Sequence, residues 1–166
     1  VQKIKYLNQQ GKNMSEVEDR LAAAGHTIPE VAIPVASYVP AARTGNLVMT
    51  SGQLPTVAGQ LVATGHVGAE VSPEQATKAA QQSALNALAA VKSVIGDLDK
   101  VVRVVKASGY VACAPGFFAV PPIMNGASDL LALAFGDAGK HARTTVGVAE
   151  LPLNAPIEVE LIVEVK

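Results

Sequence analysis

Residues 141–166 read HARTTVGVAELPLNAPIEVELIVEVK, and this stretch decides the fold. From Ile157 onward apolar and polar positions alternate: Ile157, Val159, Leu161, Val163 and Val165 fall on one face, while Glu158, Glu160, Ile162 and Glu164 fall on the other. Such a pattern predicts a strand buried on one side. Upstream, Ala142, Thr144, Val146 and Val148 share a face, and Arg143, Thr145, Gly147 and Ala149 share the opposite one. Between the two runs Pro152 and Pro156 cannot donate ladder hydrogen bonds, so the segment is read as a turn. Pairing the runs as an antiparallel hairpin would let Arg143 share a face with one of the glutamates, which marks a candidate site.

Working outward, Val101 to Ala112 is β-branched on both faces and predicts an interior strand. Leu47 to Ser51 predicts another, entered by a turn at Arg43-Thr44-Gly45-Asn46 and ended by Gly52, and Gly59 and Gly65 mark turns between weak strands. The proline-punctuated Ile28 to Pro40 supports at most an extended run from Ala36 to Val39. Ser72-Pro73-Glu74-Gln75 places Ser at a helix cap, Pro at the first helical position and Gln three residues after the cap. Ala80, Ala84, Leu88, Val91 and Ile95 then recur at helical spacing, and Gly96 ends the helix. A short first helix follows Ser15, with Glu18 completing the capping pattern and Gly25 as its stop; a third helix spans roughly Met124 to Phe135. The expectation is an α+β fold: a mixed sheet of about six strands with two main helices packed on one face, plus the short N-terminal helix. The uncovered face, holding Arg143, Thr145, Glu158 and Ile162 in this reading, is neither fully polar nor fully apolar, which suits contact with another subunit.

The chain has 166 residues, fits one domain, and is 49% apolar but only 4% aromatic, so its core is built from Ala, Val and Leu. The polar residues 1–13 are read as an N-terminal extension and 14–166 as the single domain. A formal net charge of −1 without a basic run disfavours a nucleic-acid partner. No segment reads as a secretory signal or a membrane span, and the lone Cys113 cannot form a disulfide within the chain, so a cytoplasmic location is expected. Cys113 is read as a packed apolar side chain. His26, His66 and His141 lack metal-ligand spacing and triad motifs, so no metal is assigned.

Several stretches together resemble the RidA (YjgF/YER057c/UK114) family: Tyr38-Val39, Gly45-Asn46-Leu47-Val48-Met49-Thr50-Ser51-Gly52-Gln53-Leu54-Pro55, Asn125 at the start of the last helix, Ala142-Arg143, and Ile157-Glu158-Val159-Glu160. The similarity runs from about Val35 to the C-terminus. It implies a chorismate-mutase-like fold, a homotrimer with clefts between subunits, and hydrolysis of enamines and imines such as 2-aminoacrylate to a 2-oxo acid and ammonia. Neither a metal nor an organic cofactor is implied. By position Arg143 matches the arginine that holds the substrate carboxylate, and Glu158 the acidic residue that positions or activates water. Tyr38, Ser51, Gly52, Asn125 and Thr145 match cleft positions. Thr145 stands where some members have Cys, and His141 precedes Ala142-Arg143 where Pro is common.

The residue types suit that chemistry, since Arg offers a planar fork of donors to a carboxylate and Glu can shuttle a proton. Taken alone, Arg143 would be a strand residue in a surface ion pair worth less than about 1 kcal/mol. Glu158 would be a solvated glutamate, Asn125 a helix cap, and Tyr38 an interface aromatic. The alternative function is a non-catalytic protein that holds a small carboxylate metabolite in the same cleft.

Overall fold

Capping chemistry and small side chains account for the arrangement of the helices. The structure, a computed structural model, describes residues 15–32 and 37–166; the extension 1–13 and the first residue of the extended run at Ala36 lie outside them. Helix α1 (Glu16–Ala23) begins at Ser15, whose hydroxyl accepts from Glu18 N. Asp99 also accepts from Glu16 N and Val17 N, so two of the amides that a helix start leaves without partners are satisfied by a residue 82 or 83 positions away. Strands β1 (Ala41–Thr44) and β2 (Leu47–Thr50) form a hairpin, and β3 (Thr56–Val57) with β4 (Gln60–Leu61) forms a separate ribbon. Helix α2 (Pro73–Ile95) starts with the complete capping box of Ser72 and Gln75 and stops at Gly96. Strand β5 (Val101–Ala112), the short α3 (Val120–Ile123), α4 (Asn125–Phe135), β6 (Ala142–Val148) and β7 (Ile157–Val165) complete the order.

The main sheet has five strands in the order β1-β2-β7-β5-β6. With the two-stranded ribbon, this realises the expected mixed sheet, and α2 and α4 cover one face of it while α1 packs beside α4. On β7 the predicted apolar face, Ile157 to Val165, is wholly buried against the helices, whereas Glu158, Glu160, Ile162 and Glu164 are half-buried on the open face.

The expected hairpin between the last two strands does not form. Strand β5 lies between them, parallel to β6 from Lys106↔Ala142 to Ala112↔Val148 and antiparallel to β7. Both ladders persist to the end of β5: Ala112 N donates to Pro156 O and Cys113 N to Val148 O. The physical reason is edge satisfaction. A twelve-residue strand with apolar side chains on both faces has two edges of backbone donors and acceptors to pair, and hairpin closure would have left one of them open. The parallel β5–β6 pairing requires a crossover, which α3 and α4 supply.

A second correction follows from that register. Arg143, Thr145 and Gly147 lie opposite Ala107, Gly109 and Val111, which belong to the helix face, so they face the helices and not the open side expected for them. Glu158, opposite Tyr110, faces the open side. The turn expected over Arg43-Thr44-Gly45-Asn46 is shorter: Arg43 and Thr44 belong to β1, and Gly45 and Asn46 alone turn the chain into β2.

Close approach sets the spacing of α2 and α4. A Cβ built on Gly126 would stand 1.9 Å from the Thr77 carbonyl oxygen, a backbone atom that cannot move alone. Among the described residues no helix is long and apolar enough to cross a membrane. The Gly126→Ala variant is expected to lose about 1–3 kcal/mol through overpacking, read as a drop in urea midpoint. Unchanged stability would mean that α2 and α4 are not held at this distance.

Candidate functional site

The sequence-derived candidates gather into two groups on opposite faces of the sheet. The first is built where edge strand β6 passes the start of α4. Asn125, Gly126, Ala127 and Ser128 form the first turn of α4, so Asn125 and Ser128, three residues apart, project from one side of the helix. Asn125 does not cap the helix; Met124 occupies the cap position without a side-chain bond. Instead Arg143 Nη1 donates to Asn125 Oδ1 at 2.8 Å and to Ser128 Oγ at 3.2 Å. Those two bonds fix the guanidinium plane while leaving Nε and Nη2 without a partner among the described residues. Arg143 is exposed in the isolated chain. Thr145, the next residue on that face of β6, has a buried Oγ1 with no hydrogen-bond partner among the described residues.

His141 belongs to this group, and sequence reasoning noted it without giving it a place. Its Nε2 lies 3.0 Å from Ser128 Oγ and its Nδ1 2.6 Å from the Gly139 carbonyl oxygen. Ser128 was missed altogether. Its only local signal is its offset of three from Asn125, which any helix contains by chance. A hollow of about 280 Å³ opens here, lined by Ser128, Ala132, Gly139, Lys140, His141 and Arg143. Every ionisable side chain in that lining is basic, so the hollow suits an anion. A larger hollow of about 430 Å³ lies at the other end of β6, lined by Cys113, Phe117, Phe118 and Val120 among others, and it contains none of the candidate residues. Cys113 is half-exposed there and packs against the core, as expected for an apolar side chain.

The second group lies on the open face. Gly52 admits the Glu158 carboxylate so closely that a Cβ at Gly52 would stand 1.8 Å from Glu158 Oε1. Ser51 Oγ donates to Val39 O at 2.6 Å, and Ser51 N donates to Pro40 O at 2.8 Å, which ties the segment of the exposed Tyr38 to the end of β2. Burial pushes the Glu158 carboxyl above the usual carboxylate range, and the charge of Glu160 adds to the shift. Glu160 accepts from the Tyr110 hydroxyl at 2.9 Å, and this bond, with burial and the glutamate charges, raises the phenol above its ordinary value. Glu158 therefore holds a proton more readily than an exposed glutamate does. No three His, Cys, Asp or Glu side chains converge to hold a metal among the described residues.

A raised carboxylate pKa favours the protonated form in the folded chain. Its stabilising contribution is present below the unfolded value and is lost as pH rises through the folded one. Glu158→Gln is therefore expected to gain stability over the unsubstituted chain as pH goes from 4 to 7, read as a widening gap between urea midpoints. A gap independent of pH would remove the argument.

A family model described as "YjgF/chorismate_mutase-like, putative endoribonuclease" matches residues 18–165. "Protein TCP17" of Trypanosoma cruzi is 39% identical over 151 residues, which covers 89% of this chain and 93% of that protein. A protein of unknown function from Agrobacterium tumefaciens superposes with a TM-score of 0.84 at 44% identity, covering 90% of this chain and 93% of that one. A "putative endoribonuclease" from Shewanella oneidensis superposes at 0.87 with 35% identity, covering 90% and 99%. With the five-stranded mixed sheet, its helical layer and these matches, the chain belongs to the YjgF (RidA) family and has the chorismate-mutase-like fold.

Proposed function

We propose that the protein is an enamine/imine deaminase that hydrolyses 2-aminoacrylate-type intermediates to 2-oxo acids and ammonia. The observation that carries the reading is the held guanidinium: Arg143 has one nitrogen tied to Asn125 and Ser128 and two donor nitrogens left to grip a carboxylate beside a basic hollow. A 2-imino acid presents that carboxylate next to the carbon that water must attack. Glu158, with its raised pKa, supplies a proton acceptor for the water.

Arg143 and Glu158 lie on opposite faces of one sheet, so a single chain does not bring them together. A complete site then needs a second copy of the chain, whose Gly52–Glu158 group would face the Arg143 hollow. This is the reason for reading the protein as a homo-oligomer, a trimer by resemblance. The open face, where Met49, Val146 and Ile162 lie among glutamates, suits such a contact.

The endoribonuclease description attached to the family model is a weaker reading for this chain. A formal net charge of −1 and a hollow of about 280 Å³ suit a small anion better than a polyphosphate backbone. The rival is a binding protein without turnover, and it shares the same Arg143 pocket.

Generating 2-aminoacrylate in situ with a dehydratase and following its decay tests the reading. The protein is expected to accelerate decay, and Arg143→Ala to lose about 100-fold or more in kcat/KM, since two charge-assisted bonds are removed. Glu158→Gln should lose turnover while still binding pyruvate. Sedimentation equilibrium should return a mass of three chains; a monomer that turns over at full rate would overturn the shared site, and absence of turnover with intact pyruvate binding would favour the binding protein.

A further inference from the structure

The hydrogen-bond chain behind Arg143 has a direction. The Gly139 carbonyl oxygen can only accept, so His141 Nδ1, 2.6 Å away, carries a proton. In the neutral ring Nε2 is then an acceptor, and Ser128 Oγ at 3.0 Å donates to it. Arg143 Nη1 donates to the same hydroxyl oxygen at 3.2 Å. When His141 takes up a second proton, Nε2 becomes a donor to Ser128, and the serine hydrogen must turn elsewhere. Arg143 already occupies one side of the oxygen, so the hydrogen turns to the hollow that Ser128, His141 and Arg143 line together. The charged groups about His141 are Arg143 on β6, Lys140 beside it, which pairs with Asp137 at 2.7 Å, and the exposed Asp129 next to Ser128 on α4.

We propose that Ser128 and His141 form a proton-delivery arm of the Arg143 site, with Ser128 as the donor that touches substrate and His141 as the proton store behind it. The proposal rests on the deaminase reading and adds to it the acid that the reaction requires. An enamine must first be protonated on carbon before water can attack, and Glu158 of a second copy of the chain, facing this hollow, serves as the base for that water.

The steps balance. The enamine CH2=C(NH2)COO− takes a proton from Ser128 Oγ on its terminal carbon while His141 Nε2–H restores the hydroxyl. The C=C electron pair becomes the new C–H bond, and the nitrogen lone pair forms the C=N bond of an iminium. Water adds to the central carbon, its proton passes to Glu158, and a carbinolamine results. The nitrogen then takes the proton from Glu158, and the C–N bond breaks with its electrons on ammonia. The hydroxyl proton returns through Ser128 to His141. Enamine and water become 2-oxo acid and ammonia with no net change in the protein.

Ser128→Ala and His141→Gln should each lower kcat about 100-fold with little change in KM. Ser128→Thr keeps a hydroxyl and should retain most of the rate. Pyruvate affinity read by calorimetry supplies a measurement that needs no turnover. It should change less than about 3-fold in Ser128→Ala and in His141→Gln, because Arg143 and not the arm holds the carboxylate. If both variants keep the kcat of the unsubstituted protein while Arg143→Ala is inactive, the arm is overturned and the deaminase reading stands. If the unsubstituted protein does not accelerate decay, the deaminase reading and the catalytic step fall together. If Ser128→Ala weakens pyruvate binding as much as it lowers kcat, Ser128 only holds Arg143 in place and the arm is overturned.

Discussion

Strand β5 pairs along both of its edges, and a strand so placed keeps its two neighbours apart. Because β6 runs parallel to it on one side and β7 antiparallel on the other, the last two strands of the chain never touch, although they are consecutive in sequence. Register does the rest. With Arg143 opposite Ala107 and Glu158 opposite Tyr110, the arginine faces the helical layer and the glutamate faces the open side. A slip of one residue in either ladder would turn every side chain of that strand to the other face. The candidate chemistry thus depends on two backbone ladders as much as on the side chains that perform it.

Glycines then set how near the layers come. Gly126 lets α4 lie against the Thr77 carbonyl of α2, and Gly109 leaves room on the sheet for Met124. These contacts hold the first turn of α4 close enough to β6 for Asn125 and Ser128 to reach the guanidinium. On the other face Gly52 makes room for the Glu158 carboxyl, and that tight seat is part of the burial that raises its pKa. Alanine at Gly52 would displace the carboxylate, so packing and proton affinity share one cause there.

What the sequence made legible was local. The cap at Ser72, the stop at Gly96, the span of β5 and the inward face of β7 all rest on patterns within one element, and the structure reproduces them. The orientation of β6 was not legible, because an edge strand of small residues shows no contrast in burial: Ala142, Arg143 and Thr144 are all exposed. Its partner was not legible either, since proximity in sequence favoured β7 and only the unsatisfied edge of β5 argued otherwise. Arg143 and Asn125 could be singled out through resemblance, and they do meet. The Ser128–His141 contact joins residues 13 apart, one on α4 and one just before β6, and no motif announces such a meeting.

The division of the sheet has a chemical consequence for the proposed site. Had Arg143 and Glu158 shared a face of one chain, as a hairpin would have arranged, the nearest carboxylate to the guanidinium would have been the protein's own. A substrate carboxylate would then compete with an intramolecular partner, and an ion pair would lower the Glu158 pKa instead of burial raising it. Separation avoids both effects. The guanidinium is held by two neutral oxygens, Asn125 Oδ1 and Ser128 Oγ, which orient it without cancelling its charge. Glu158 is held beside Gly52 and near another glutamate, which keeps its affinity for a proton high. Joining the halves across two copies of the chain would let the substrate carboxylate reach Arg143 while water lies against Glu158, so each charge would meet the group it acts on before it meets the other.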